Sequence, residues 1–96
     1  MSTVTKKELI NRIAEQTQTR GVVVKPIIQS FLDEIVAELA KDNRLEFRDF
    51  GVFETRTRAA RTAQNPKTLE QVQVPAKRTV KFKIGRLMRQ KLNGQE

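Results

Sequence analysis

Apolar residues recur along this chain with two different periods. Leu9, Ile10, Ile13 and Ala14 are spaced as one face of a helix, and so are Ile27, Ile28, Phe31, Leu32, Ile35, Val36, Leu39 and Ala40. From residue 44 onward the period falls to two. Arg44-Leu45-Glu46-Phe47-Arg48 alternates strictly, and Val72, Val74, Val80 and Phe82 alternate with Gln73, Thr79, Lys81 and Lys83. The first pattern predicts two helices and the second predicts strands.

Local signals place the ends. Thr5-Lys6-Lys7-Glu8 fits a capping box, with Val4 and Leu9 at the hydrophobic-staple positions. The helical pattern fades over Gln16 to Thr19, and Gly21 marks a turn. Pro26 suits the first turn of the second helix, where a missing N–H costs little. Lys41-Asp42-Asn43 closes that helix. Asp49-Phe50-Gly51 reads as a turn with Gly51 free to take a positive φ. A strand from Val52 to about Thr62 forms one leg of a ribbon, and Val72 to about Phe82 forms the other. Pro75 requires an edge position or a kink. After Gly85, Arg86 to Leu92 predicts a short basic helix, and Asn93 to Glu96 a loose tail. The order is α-α-β-β-β-α, an α+β fold in one domain. Residues 1–43 form a helical part, 44–83 the sheet and arm with a tip near 63–69, and 84–96 the last helix and tail.

The second helix carries an apolar stripe wide enough for burial on more than one side. If the ribbon projects, about seventy residues form the packed part, and a core of that size supplies only ~3–5 kcal/mol on its own. Both points predict a dimer in which the helices pack against their copies.

Charge sharpens the picture because it is segregated. Net charge is +8, yet residues 1–47 hold seven Lys/Arg and seven Asp/Glu. Residues 48–96 hold twelve Lys/Arg and four Asp/Glu, so the entire excess lies in the half that contains the ribbon. Nine Lys/Arg lie between Arg48 and Lys83 against three acids, Asp49, Glu54 and Glu70. A solvated sheet face would not stack like charges in this way. A polyanion with a groove explains them better, and B-DNA is such a partner.

Several chemistries are excluded or weak. With no Cys and no His, zinc sites, thiol nucleophiles and imidazole acid–base catalysis are excluded. Asp42, Glu46 and Asp49 are the nearest approach to a carboxylate cluster, and they lack ligand spacing. The chain is therefore expected to be neither an enzyme nor a metal or cofactor carrier. Lys6, Lys7 and Glu8 interrupt any signal-peptide core, and no apolar run is long enough for a membrane span.

The residues also carry a family resemblance. Lys7-Glu8-Leu9-Ile10, Phe50-Gly51-Val52-Phe53, Arg58-Ala59-Ala60-Arg61, Asn65-Pro66-Lys67-Thr68 and Pro75-Ala76-Lys77-Arg78, with Phe82-Lys83, resemble the bacterial HU / integration host factor family of DNA-bending proteins. The match runs without a gap from about Lys6 to Arg89. The resemblance implies an intertwined two-fold dimer with two N-terminal helices, a three-stranded antiparallel sheet saddle with long β-arms, and a short C-terminal helix. It implies that the arms embrace the DNA minor groove and that Pro66 intercalates at each tip. Arg56, Arg58, Arg61, Asn65, Lys67, Lys77, Arg78, Lys81 and Lys83 match arm and saddle contacts. Lys6, Arg86 and Arg89 match body contacts, and Arg48 matches a saddle position that can reach the groove. Phe31, Leu32, Ile35, Phe47, Phe50, Phe53 and Phe82 are expected in the dimer core. The implied setting is the bacterial nucleoid, with a homodimer expected and a heterodimer with a paralogue left open.

The chain departs from the family pattern at the tip. Ala63-Gln64 precedes Asn65-Pro66 where the family has Gly-Arg, and Leu69 stands in place of a Gly. Ile84 replaces the usual Pro before Gly85. A Leu at positive φ would be strained, so another turn type is expected. A site-specific bender of the integration-host-factor kind is the alternative within the class. A structural RNA-binding role is remoter, because no aromatic is expected on the ribbon face for base stacking and the chain has no Tyr or Trp. Binding to anionic membranes is weak too, since Asp33, Glu34 and Glu38 face away from the apolar stripe.

Overall fold

The computed structural model describes residues 2–94, so the last two residues of the expected tail lie outside the described residues. Three helices and five strands follow in the order α1 (Lys6–Gln16), α2 (Gly21–Ala40), β1 (Leu45–Phe47), β2 (Gly51–Arg58), β3 (Arg61–Gln64), β4 (Gln71–Val74), β5 (Lys77–Ile84) and α3 (Arg86–Asn93). The chain divides into two compact units, residues 1–37 and 38–96.

In the first unit, α1 starts where the capping box places it. Thr5 Oγ1 accepts from the Glu8 amide at 3.3 Å. α2 begins earlier than the sequence suggests. The Val23 and Val24 amides both donate to the Arg20 carbonyl, at 2.9 and 3.1 Å. Gly21 is therefore helical, and Gln18 takes the left-handed position of the connection at φ 52°. Pro26 sits inside the helix, not in its first turn, and leaves the Val22 carbonyl without its intrahelical donor. The helix forms despite this loss and the β-propensity of the valines, of which Val24 is buried, as is Ile10 of α1, whereas Val22 and Val23 are exposed.

The second unit holds two antiparallel sheets. One has the order β1-β2-β5 and the other pairs β3 with β4. The ribbon legs are each interrupted once. Ala59–Ala60 stand opposite Pro75–Ala76, between the Arg58↔Lys77 and Arg61↔Val74 pairs. Two residues face two, so the break interrupts the pairing without shifting its register. Pro75 lacks the N–H that a continuous ladder would need.

The β1–β2 turn corrects a second expectation. Asp49, not Gly51, takes the positive φ, at 65°. Asp tolerates this conformation. Gly51 is buried within β2 for a different reason: a Cβ there would lie 2.5 Å from the Phe82 ring and 2.6 Å from the Lys83 carbonyl oxygen. Gly85 is also set by close approach, since its Cβ would lie 2.7 Å from the Asp49 and Phe50 backbone. That contact caps α3 without a side chain. The Leu87 amide donates to the Asp49 carbonyl at 3.0 Å, and the Gly85 amide to the Phe50 carbonyl at 2.7 Å.

Phe47, Phe50, Phe53 and Phe82 form one ring cluster. Phe53 and Phe82 are cross-strand partners with centroids 4.6 Å apart, and Phe47 meets Phe53 edge-on at 6.0 Å.

A candidate nucleic-acid interface

Pairing of β2 with β5 sorts the side chains onto two faces, because directly opposed residues share a face. The pairs Glu54↔Lys81, Arg56↔Thr79 and Arg58↔Lys77, with Lys83 opposite Val52, define one face. The pairs Phe53↔Phe82, Thr55↔Val80 and Thr57↔Arg78 define the other. Five of the expected contact cations, Arg56, Arg58, Lys77, Lys81 and Lys83, therefore share a single surface. The aromatic cluster occupies the opposite one.

Arg78 does not belong with them. It lies on the aromatic side, where its guanidinium donates to the Leu39 and Ala40 carbonyls at 3.2 and 3.0 Å and to Asp42 Oδ1 at 2.6 Å. It thereby caps the C-terminus of α2, sharing the Leu39 carbonyl with the Asp42 amide, which donates to it at 3.0 Å. Thr55 Oγ1 also donates to Asp42 Oδ1, at 3.0 Å. Those two hydrogen bonds, Thr55 first and Arg78 second, hold the Asp42 carboxyl below its ordinary pKa. The signal was present in the sequence: Arg78 has the parity of Val80 and Phe82, whereas Lys77, Lys81 and Lys83 have the other.

Within the cationic face, Glu54 is a counter-ion the sequence reading passed over. Lys83 Nζ lies 3.1 Å from its carboxylate and Arg56 3.8 Å. The Lys83 hydrogen bond is the main cause of its lowered pKa. A phosphate approaching this face must compete with Glu54 for two cations.

Beyond the break, β3 and β4 form the end of the arm. Arg61, Ala63, Val72 and Val74 share one of its faces, and Thr62, Gln64, Gln71 and Gln73 the other. Thr62 accepts from Gln73 Nε2 at 3.2 Å. The tip is closed by Asn65. Its amide donates to the Glu70 carbonyl at 2.8 Å, its carbonyl accepts from the Leu69 amide at 2.7 Å, and its Oδ1 accepts from the Lys67 amide at 3.0 Å. Asx turns of this kind are what Asn supplies locally. Pro66 and Lys67 ride on the turn, and Pro66 contributes no hydrogen bond to it. Contrary to the sequence expectation, Leu69 does occupy a left-handed conformation, at φ 60°. For an L-residue this costs roughly 1–2 kcal/mol. The closed hydrogen-bond ring around Asn65 imposes it.

The remaining candidates are dispersed. Arg48, on the β1–β2 connection, lines an open recess with Lys83 and Arg89, beside Glu46 and Asp49. Arg86 opens α3. Lys6, in the first unit, donates from Nζ to Gln29 Oε1. Among the described residues, no three His, Cys, Asp or Glu gather as metal ligands, and no helix is long and apolar enough to cross a membrane.

This arrangement can be compared with known proteins. The sequence pattern described as Bacterial DNA-binding protein matches residues 4–93. The chain belongs to this family. A probable DNA-binding protein HU of Chlamydia pneumoniae is 41% identical over 90 residues, covering 93% of this chain and 90% of the relative. The DNA-binding protein HU of Thermotoga maritima is 37% identical over 89 residues, covering 93% of this chain and 99% of the relative. In three dimensions the chain is similar to Anabaena HU from an HU–DNA cocrystal structure, with TM-score 0.84 at 31% identity, covering 95% of this chain and 99% of that one. Both the HU-like α+β fold and membership of the HU and integration host factor family of DNA-binding architectural proteins follow from these matches. Of the cations the family resemblance nominated, the fold gathers the five on the sheet face. It gives Arg78 a structural partner set and leaves Arg61 alone among apolar residues on one face of the arm.

Proposed function

We propose that a dimer of this chain grips duplex DNA through the minor groove with its two arms, and that Pro66 wedges into a base step and bends the duplex. The observation that carries this reading is the tip geometry. A turn closed by the hydrogen bonds of Asn65 presents Pro66 at the end of a ribbon whose sheet face carries five cations. The minor groove offers a degenerate hydrogen-bond pattern, so low sequence preference follows. Unstacking a base step costs a few kcal/mol, and phosphate contacts along the sheet face offset it. Such a protein compacts a bacterial nucleoid. In this reading residues 1–43 are the assembly part and 44–83 the saddle and arm. Residues 84–96 flank the saddle, and Arg48, Arg86, Arg89 and Lys6 meet DNA beyond the kink.

The dimer has its own support. Among the described residues the buried apolar side chains are Ile10, Val24 and Leu39, and no large side chain is fully buried. On α2, Ile27 is 62% exposed, Phe31 52% and Val36 67%. An exposed apolar helix face of this extent marks an association surface, and a second copy of the chain is the occupant this reading assigns to it.

The test is energy transfer across an end-labelled duplex of random sequence. At about 35 base pairs it is short against the ~150-base-pair persistence length, so the free duplex is nearly straight. A salt-sensitive rise in transfer on binding supports the reading, and binding with no change in end-to-end distance overturns the wedge. A large excess of affinity for one sequence over random DNA would favour the site-specific alternative.

Arg58 and Arg78 separate the contact role from the structural one. Arg58→Ala is expected to weaken binding on all sequences alike and to lower the slope of log K against log salt by about one. Arg78→Ala is expected to leave that slope unchanged and instead lower the thermal midpoint, by roughly 5 °C for a loss near 1 kcal/mol. Titration across salt and a thermal melt of each variant distinguish the two.

A further inference from the structure

We infer that Leu69 is a second apolar contact of the arm tip, seated beside Pro66 against the deoxyribose walls and the unstacked base face at the kinked step. This rests on the DNA-bending reading above.

Two features of Leu69 are unfavourable in the free chain. Its backbone is left-handed, at φ 60°, where glycine would sit without strain. Its side chain is 69% exposed. The turn itself needs only the backbone of this residue. The Leu69 amide donates to the Asn65 carbonyl at 2.7 Å, and its carbonyl accepts from Gln64 Nε2 at 3.4 Å. Both of its backbone groups are engaged, so the φ angle is imposed by Asn65 and Gln64 and not selected by leucine. The arm thus gains nothing internally from a side chain at this position.

The surroundings specify what gains from it. Leu69 is three residues from Pro66 in the same closed turn, and Lys67 lies between them. The legs below carry Arg58, Arg61 and Lys77. An apolar end on a cationic stalk is complementary to a minor groove, whose sugar walls are apolar and whose rims are phosphate. A kinked step adds an exposed base face of the size an aliphatic side chain covers. A purely apolar partner such as a lipid surface would not call for the charged legs.

The experiment compares Leu69→Gly and Leu69→Met with the unaltered dimer, by thermal melting and by binding and energy transfer on an intact duplex and on one pre-kinked by a short mismatch. Leu69→Gly is expected to melt at the same temperature or higher. It is expected to bind the intact duplex about tenfold more weakly, which is about 1.4 kcal/mol, and to bend it less. Leu69→Met is expected to retain both properties. The glycine variant's deficit should shrink on the pre-kinked duplex, where part of the unstacking is already done. If the unaltered protein bends DNA and Leu69→Gly binds and bends equally well, the inference fails while the bending function stands. If the unaltered protein does not bend DNA at all, both fail.

Discussion

Phe31→Asp is expected to abolish the folded protein, with loss of the dimer and of the cooperative thermal transition together. Phe31 projects from α2 and is 52% exposed within a single chain. A carboxylate at that position is prohibitive in an apolar interface. Leu32 and Val36 extend the same exposed surface along the helix. With so few side chains buried per chain, the unassembled chain has little to set against its conformational entropy. Dimers of this kind often have no stable folded monomer. Sedimentation and circular dichroism over a range of protein concentrations test the point. A folded monomeric Phe31→Asp protein would remove the helices from the proposed interface.

Pro66→Ala is expected to uncouple bending from binding. The tip turn is held by Asn65 through the amides of Lys67 and Leu69 and by the Glu70 carbonyl, so it survives loss of the proline ring. The cationic sheet face is untouched, and affinity for random DNA should fall by less than about tenfold, or 1.4 kcal/mol. The bend should fall by on the order of half or more, because alanine is too small to hold a base step open. Energy transfer on the labelled duplex, read at saturation, reports the bend independently of affinity. Equal losses in both quantities would refute the wedge.

Much of the fold was legible along the chain. The capping box fixed the start of α1, the alternation from Leu45 to Phe47 marked β1, and Pro75 foretold the interruption of the ribbon. Asn65-Pro66 located the tip. The errors share a cause. Gly21, Gly51 and Leu69 were read by the conformational preference of the single residue, and each was decided by the groups around it. At the start of α2, over Gly21, the Val23 and Val24 amides close onto the Arg20 carbonyl. Gly51 is required by the Phe82 ring across the strand pair, and Asp49 took the positive φ in its place. Leu69 was bent into the left-handed region by hydrogen bonds to Asn65.

The candidate site divides in the same way. Basic residues, their concentration after residue 48 and the Asn-Pro tip are properties of the sequence, because charge and turn chemistry are carried by single residues and their neighbours. Which cations act together is a property of the strand register. Pairing Arg58 with Lys77 and Glu54 with Lys81 gathers Arg56, Arg58, Lys77, Lys81 and Lys83 on one face and sends Arg78 through to the other, onto the end of α2. Periodicity determined that these strands would have two unlike faces. Only tertiary structure decided that Glu54 would stand as counter-ion to Lys83, and that Arg78 would close a helix, because both depend on residues far apart in sequence meeting at hydrogen-bond distance.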